Sequence, residues 1–305
     1  MFLDGLEMGM ETAYFAQNVR AYRLKAGLRA EEVAARLGIS RAALYRYERG
    51  EVIKLATIRR LAEVLNIPPP ALLGLSVEYF SSPTAYAERL CNLEERAEQV
   101  LQVGGKLCAP LMTDDCDSAI IDLWAEASDN APDRTMASAA IEQAIQSLAQ
   151  RRQGYMQRRP NIIAVLSEGA IRSFLTDGIA GPTHMPERTR ARARAAAAAE
   201  ALNLASLMER SPMGLQIGLT HGAEPSGAFR VLRGRGRAHV VSSPFPVDTL
   251  PWMSTGVASI TAADDVVAAH QRVAESAWRD ALKAGQAAER LRQMVAQAGR
   301  RDIAA

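Results

Sequence analysis

The side chains whose chemistry stands out in this sequence are basic and crowded near one end. Between Phe15 and Leu65 eleven basic residues (Arg20, Arg23, Lys25, Arg29, Arg36, Arg41, Arg46, Arg49, Lys54, Arg59, Arg60) stand against five acidic ones (Glu31, Glu32, Glu48, Glu51, Glu63), a local excess of +6 within a whole-chain charge of +2. A short segment so charged suits a polyanion. The groups that could do catalysis do not converge. His184, His221, His239 and His270 lack metal-ligand spacing, and His270 falls on an apolar helix face where a core histidine is the ordinary reading. Gly234 and Gly236 lie in RGRGR between two expected strands and read as a hairpin rather than a phosphate loop. LSEGA around Ser167 lacks the glycine that a nucleophile elbow places before its serine. Glu168 either faces a pocket at a strand end or is a carboxylate favoured by a helix N-terminus. Cys91, Cys108 and Cys116 are too few and too unevenly placed for a disulfide framework. Cys108 and Cys116 form either a redox switch or inert thiols; their neighbours Asp114, Asp115 and Asp117 raise a thiol pKa and favour the second. We expect no cofactor, no metal and no enzyme.

The elements that must position the basic residues are short helices. From Phe15 to Leu73, Gly27, Gly38, Gly50 and Pro68-Pro69-Pro70 punctuate five helical stretches whose apolar residues (Val19, Leu24, Leu28, Val33, Ala34, Leu37, Ile39, Leu44, Tyr47, Ile58, Leu61, Ala62, Leu65) suffice for one small core. Within them GLRAEEVAARLGISRAALYRYERG, Gly27 to Gly50, has the mechanics of a helix-turn-helix. Helix Ala30–Leu37 ends at Gly38, which takes the positive φ of a sharp turn; Ile39 fills the angle, and Ser40 caps the next helix, Arg41–Arg49. That second helix presents its first residues outward, as reading base edges in a major groove requires.

Over about Phe15–Leu73 the sequence resembles the Cro and phage-repressor (XRE) class of helix-turn-helix. The likeness is carried by the GL before the first motif helix, the LGIS turn, the ERG that ends the second, and an arginine in the preceding helix placed to meet the Glu of ERG. The resemblance implies a structural ion pair, Arg23–Glu48. It implies base contacts from Arg41, Ala42 and Arg46, the arginines forking onto guanine, with Ser40 at the helix start. It gives Arg49 and Lys54 to phosphates, and leaves Tyr45 either at a thymine methyl or phosphate or as a prop for its helix. Where the family has Ser or Thr followed by Gln, this sequence has Arg29 and Ala30, a change expected to alter specificity, with Arg29 restoring a phosphate contact by charge.

Beyond this segment, Tyr86, Leu90, Leu93, Ala97 and Val100 follow a/d spacing, so a helix there either pairs with its own copy or packs on its own chain. A helix to about Gln157, a strand at Asn161–Ser167, a helix at Glu168–Leu175, strands at Leu215–Leu219, Phe229–Leu232, Ala238–Ser243 and Val257–Ile260, and a helix at Asp264–Lys283 with Val266, Val267, His270, Val273, Ala274, Ala277, Trp278 and Ala281 on one face make an α+β domain with a small mixed sheet. Arg188, Arg190, Arg192 and Arg194 alternate, split onto opposite helix faces, and read as solvated. A last helix, Gln286–Gln297, either pairs subunits or docks on its own domain through Leu291, Met294 and Val295. QRRPNIIAVLSEGAIRSFL, MGLQIGLTHG and GAFRVL resemble the effector domain that follows this class of helix-turn-helix in actinobacterial regulators, which implies sensing or assembly and no particular ligand.

The expected organisation is multidomain: a tail (1–14), an all-α, lambda-repressor-like helix-turn-helix domain (15–77), a helical linker or dimerisation segment (78–135), an α+β effector or sensing domain (136–285), and a C-terminal helix and tail (286–305). At 48% hydrophobic and 23% charged residues over 305 positions, about two globular domains fit. No apolar run approaches the roughly 18 residues of a membrane span, and Asp4, Glu7 and Glu11 stand where a secretory signal would be basic, so a cytoplasmic protein is expected. The reading is a homodimeric regulator on double-stranded DNA with a two-fold-symmetric operator, open to a small-molecule or protein effector at its second domain. A protein-interaction scaffold or antitoxin-like inhibitor, and an enzyme with an attached DNA-binding domain, are the competing readings.

Overall fold

The computed structural model describes residues 15, 19, 20, 22, 23, 26–49, 51, 54–67, 69–72, 77–179, 186–222 and 225–304. The 1–14 tail, Leu24, Lys25, Gly50, Pro68, Leu73 and His184 lie outside them. The chain divides into two compact units, residues 1–78 with the stretch 261–266, and residues 79–260 with 267–305.

The first unit is helical. Phe15, Val19, Arg20, Tyr22 and Arg23 are helical, followed by α1 (Ala30–Leu37), α2 (Arg41–Tyr47), α3 (Leu55–Leu65) and α4 (Pro69–Leu72). Helical spacing of the apolar residues puts Val19, Val33, Leu37, Leu44, Leu61 and Leu65 on inward faces, where they form one buried cluster; Leu28, Ile39, Tyr45 and Tyr47 close over it. Burial of these side chains, each worth about 1.5–3 kcal/mol, is what holds helices too short to persist alone.

The second unit is built on an eight-stranded mixed sheet in the order β1-β7-β6-β5-β2-β3-β4-β8. The strands are β1 (Glu78–Phe80), β2 (Ala97–Val103), β3 (Asn161–Leu166), β4 (Leu215–Leu219), β5 (Phe229–Gly234), β6 (Ala238–Ser242), β7 (Ala258–Thr261) and β8 (Leu282–Lys283). β2, β3 and β4 are parallel neighbours, and β5 runs antiparallel to β2 on its other side. Parallel strands need long crossovers. Here α6 (Asp114–Ser128) and α7 (Arg134–Arg158) join β2 to β3, and α8 (Glu168–Asp177) and α9 (Glu187–Arg210) join β3 to β4. Before β2 runs α5 (Pro83–Glu94); α10 (Asp264–Asp280) and α11 (Ala284–Ala304) end the chain.

Residues 78–135 are therefore not a helical linker. α5 stops at Glu94, so the a/d series breaks, and Ala97 and Val100 lie on β2, which is paired along both edges. Ladder bonds to β3 and β5 outweigh a local helical period. The sheet is also larger than expected, because β1, β2 and β8 join it. The face assigned to α10 is buried only in part: Val267 and Ala274 are inside, while Val273 is half exposed. His270 is half-buried and edge-on to the Phe229 ring. The last helix docks on its own unit, with Ala287, Ala288, Leu291 and Met294 buried in the core that also holds Leu204 and Met208 of α9. Gly234 and Gly236 turn β5 into β6.

Candidate nucleic-acid interface

The turn between α1 and α2 is fixed by backbone chemistry. Gly38 has φ +68° and ψ +34°, and its N–H bonds back to the carbonyls of Ala34 and Ala35. A Cβ there would meet nothing within 4 Å, so glycine is required by φ alone. Ser40 is the N-cap of α2, its Oγ accepting from Ala43 N at 3.1 Å. Ile39 packs half-buried on the core between them. Arg29, standing at the N-cap of α1, has no capping acceptor to offer; instead Glu32 reaches back and accepts from Arg29 N at 2.8 Å. Arg60, which the sequence reading passed over, donates from Nη2 to Leu37 O at 2.9 Å and closes the C-terminal end of α1.

The orientation of α2 is set by a forked pair. Arg23 Nε and Nη2 donate to Glu48 Oε1 and Oε2 at 2.6 and 3.1 Å, and Nη1 reaches Leu28 O at 3.3 Å. The side chains are 10% and 5% exposed, and the hydrogen bond to Glu48 raises the Arg23 pKa against the opposing effect of burial. A planar fork of this kind fixes angle as well as distance. It ties the helix before the motif to the end of α2.

Outward from that frame, Arg41, Ala42, Arg46, Arg49 and Lys54 are exposed, as is Arg29. Arg41 pairs with Glu31 at 2.7 Å and donates to the Tyr45 hydroxyl at 3.1 Å; Arg46 pairs with Glu51 at 2.8 Å. The Tyr45 ring is half-buried against the core, so it props α2 while its hydroxyl holds Arg41. These arginines thus lie extended on the surface, held by exposed carboxylates that water or phosphate exchanges at little cost. Ala30 is 5% exposed and belongs to the core, so this position makes no phosphate contact. An exposed helix with a forked cation in its first turn, Arg41, and another in its last, Arg46, followed by Arg49 and Lys54, is chemically equipped to meet base edges and the phosphates beside them.

In the second unit the sequence candidates fall apart. Glu168, at the first position of α8, is held by Arg290 of α11 and by Arg172, the first through two hydrogen bonds, and together they lower its pKa. Arg190 and Arg194 both pair with Glu187, and Arg192 with Glu126. Among the described residues no group of three or more His, Cys, Asp or Glu is placed to hold a metal ion, and no helix is long and apolar enough to cross a membrane. Cys91, Cys108 and Cys116 are all buried. Burial pushes the Cys108 thiol up to about 12, and raises Cys91 and Cys116 as well, Cys116 further by Glu200 and Asp117. Reaction of the native thiols with a maleimide at neutral pH is expected to be at least about 100-fold slower than in denaturant. Equal rates in the two states would revive the redox switch.

The arrangement of α1, turn and α2 defines a helix-turn-helix module, and comparison with known proteins agrees. Residues 19–72 match the helix-turn-helix family HTH_3, so this segment is an XRE-type helix-turn-helix domain. Over 88 residues the chain is 36% identical to a protein described as the HTH-type transcriptional repressor RghR of Bacillus subtilis (strain 168), a match that covers 28% of the chain and spans 65% of that relative's length. Among solved structures, the restriction-modification controller protein C.AhdI from Aeromonas hydrophila is 33% identical, with a TM-score of 0.20, over 21% of this chain and 93% of its own. TrmBL2, described as an archaeal chromatin protein, is 9% identical, with a TM-score of 0.31, over 68% and 54%.

Proposed function

We propose that this protein is a cytoplasmic, sequence-specific regulator of transcription that binds double-stranded DNA as a homodimer, and that its second unit modulates binding. The observation that carries the reading is α2: an exposed helix bearing Arg41 and Ala42 at its start and Arg46 in its last turn, locked in angle by Gly38, Ser40 and the Arg23–Glu48 fork. The similarity to a transcriptional repressor supports the same reading and favours repression as the output. One such domain offers few contacts, so two copies on successive major grooves supply the affinity, with half-sites about 34–36 Å apart. Base reading falls to Arg41, Ala42 and Arg46, and phosphate contact to Arg29, Ser40, Arg49 and Lys54.

Selection from a random DNA pool with the full chain at fixed salt, joined to sedimentation at micromolar concentration, tests this. An enriched inverted repeat bound by a dimer is the expected result. A monomer protecting a single half-site overturns the dimer, and absence of any enriched motif moves the reading to a protein-interaction scaffold or antitoxin-like inhibitor.

A further inference from the structure

The second unit holds a cavity of about 620 Å³, within the size range of small-molecule sites. Its wall is mixed. The rings of Tyr86 and Phe245, 6.1 Å apart between centroids, stand in it with Leu90 and Val241, and the amides of Gln143, Gln146 and Gln150 face it from α7. The charges of the wall do not balance. Lys106 is matched by Asp248, Nζ to Oδ2 at 2.6 Å, and Glu88 is exposed, where water and salt screen it. Arg151 and Arg230 share the single carboxylate of Glu94, which leaves one positive charge over. Glu95, the next carboxylate in the chain, is bound by Gln150 Nε2 at 2.9 Å and lies outside the lining. Donor capacity is left over as well. Arg151 gives Nε and Nη2 to Glu94, and Arg230 gives it Nη1 while Nη2 lies 3.4 Å from the Tyr86 hydroxyl, so among the described residues Arg151 Nη1 and Arg230 Nε meet no acceptor. Both keep access to solvent, on side chains 9% and 19% exposed. Arg230 stands opposite Gln102 in the register of β2 with β5, so the two side chains leave the sheet on one face, the face on which Arg230 reaches Tyr86 of α5 and on which both residues line the cavity. An excess charge so far from bulk water is costly until a counter-charge meets it.

We infer that this cavity binds an aromatic monocarboxylate, its carboxylate on Arg151 and Arg230 and its ring system beside Tyr86 and Phe245. The charge count selects the class. One negative charge balances two arginines and Glu94, whereas a phosphate monoester, at about −1.5 to −2 near neutral pH, overshoots and an ammonium adds to the excess. The planar guanidinium fork is matched to a carboxylate in shape as well as in charge. Gln143, Gln146 and Gln150 offer both donors and acceptors to polar substituents on the rings. The inference rests on the modulating role proposed for the second unit and names the chemical class of the signal.

Equilibrium dialysis of the full chain, without DNA, against 2-naphthoate and biphenyl-4-carboxylate and their neutral counterparts 2-naphthamide and biphenyl-4-carboxamide tests the site. Saturable binding is expected, with each acid held at least about tenfold more tightly than its amide, since hydrogen bonds between ionised partners are the stronger ones. Acetate and inorganic phosphate, charged but without rings to bury, should compete only at concentrations at least about 100-fold higher. Two variants should move the preference in opposite directions. Arg230→Gln leaves the Arg151–Glu94 fork in place and balanced, so the preference for acid over amide should fall by about fivefold or more while the melting transition is retained. Glu94→Gln frees both guanidiniums and, below its melting transition, should hold the acids about threefold or more tightly than wild type does. A merely structural role for these residues would not produce opposite shifts. No saturable binding of either acid, parity between acid and amide, equal competition by acetate or phosphate, or no loss of preference in Arg230→Gln overturns the proposal. DNA affinity measured with and without 2-naphthoate then judges modulation separately: no change removes that role while the dialysis result stands on its own.

Discussion

Replacing Arg41 and Arg46 together by alanine is expected to erase sequence preference while leaving weak, salt-sensitive binding to any duplex. In the free protein both guanidiniums are held by exposed carboxylates, Arg41 by Glu31 at 2.7 Å and Arg46 by Glu51 at 2.8 Å. Such exposed pairs exchange with water readily and do not bar the arginines from a groove. Each arginine forked onto a guanine discriminates by about tenfold to a hundredfold against the wrong base. Losing both should therefore lower the ratio of specific to random DNA affinity by about 10²–10⁴-fold per half-site, with helical content and melting of the first unit unchanged because neither side chain is in its core. Arg49→Gln and Lys54→Gln provide the contrast. As phosphate contacts they should weaken specific and random DNA alike, and each should reduce the slope of log affinity on log salt by about one. Titration of the selected site and a scrambled duplex at several salt concentrations checks both. A double alanine variant that keeps its preference would place base reading elsewhere than α2.

The helix-turn-helix was legible in the sequence because every feature that shapes it is local. Gly38, Ile39 and Ser40 are consecutive, and each has one backbone task that its residue type announces. Arg23 and Glu48 needed the family likeness to be brought together, being 2.6 Å apart in space but on different helices. Arg60 gave no such sign, since an exposed arginine on a basic helix looks the same whether or not it closes a neighbour's end. In the second unit β3 to β6 were readable as apolar runs between turns, but β2 was not. Its alternation, AEQVLQV, overlaps a helical period begun in α5, and only pairing with β3 and β5 decides between the two. The cavity was illegible for a similar reason: Tyr86, Arg151 and Arg230 come from two helices and a strand, and nothing near any of them in sequence points to the others. A residue's local period reports which face it occupies, whereas a shared pocket depends on how whole elements cross.

Glu94→Gln is expected to destabilise the second unit by about 3 kcal/mol, which for a unit of this size lowers its melting temperature by about 6–12 °C. Glu94 closes α5 and binds two arginines at once: Arg151 of α7 through Nε and Nη2 at 2.6 and 2.9 Å, and Arg230 of β5 through Nη1 at 2.7 Å. Burial by itself would raise its pKa, but Arg151 and then Arg230 outweigh it and hold the carboxyl below the ordinary 4.5. The variant leaves two guanidiniums, 9% and 19% exposed, without a counter-charge, and an uncompensated buried charge costs far more than the intact pair contributes. Replacing all three residues by apolar ones of similar volume, Glu94→Leu with Arg151→Met and Arg230→Met, should therefore recover most of the loss. The sign of the pH dependence follows from the lowered pKa. The folded state favours the ionised carboxylate, so its contribution is complete above the unfolded value and disappears as the pH falls below that through the folded one. Wild type should lose stability there more steeply than Glu94→Gln, whose acid limb lacks this group. The three tryptophans, Trp124, Trp252 and Trp278, all belong to the second unit, so intrinsic fluorescence follows its unfolding without a signal from the helix-turn-helix. Equal stability of Glu94→Gln and wild type at pH 7, or parallel acid limbs, would show that α5, α7 and β5 are held by their apolar contacts alone and that the two arginines find water where the carboxylate was.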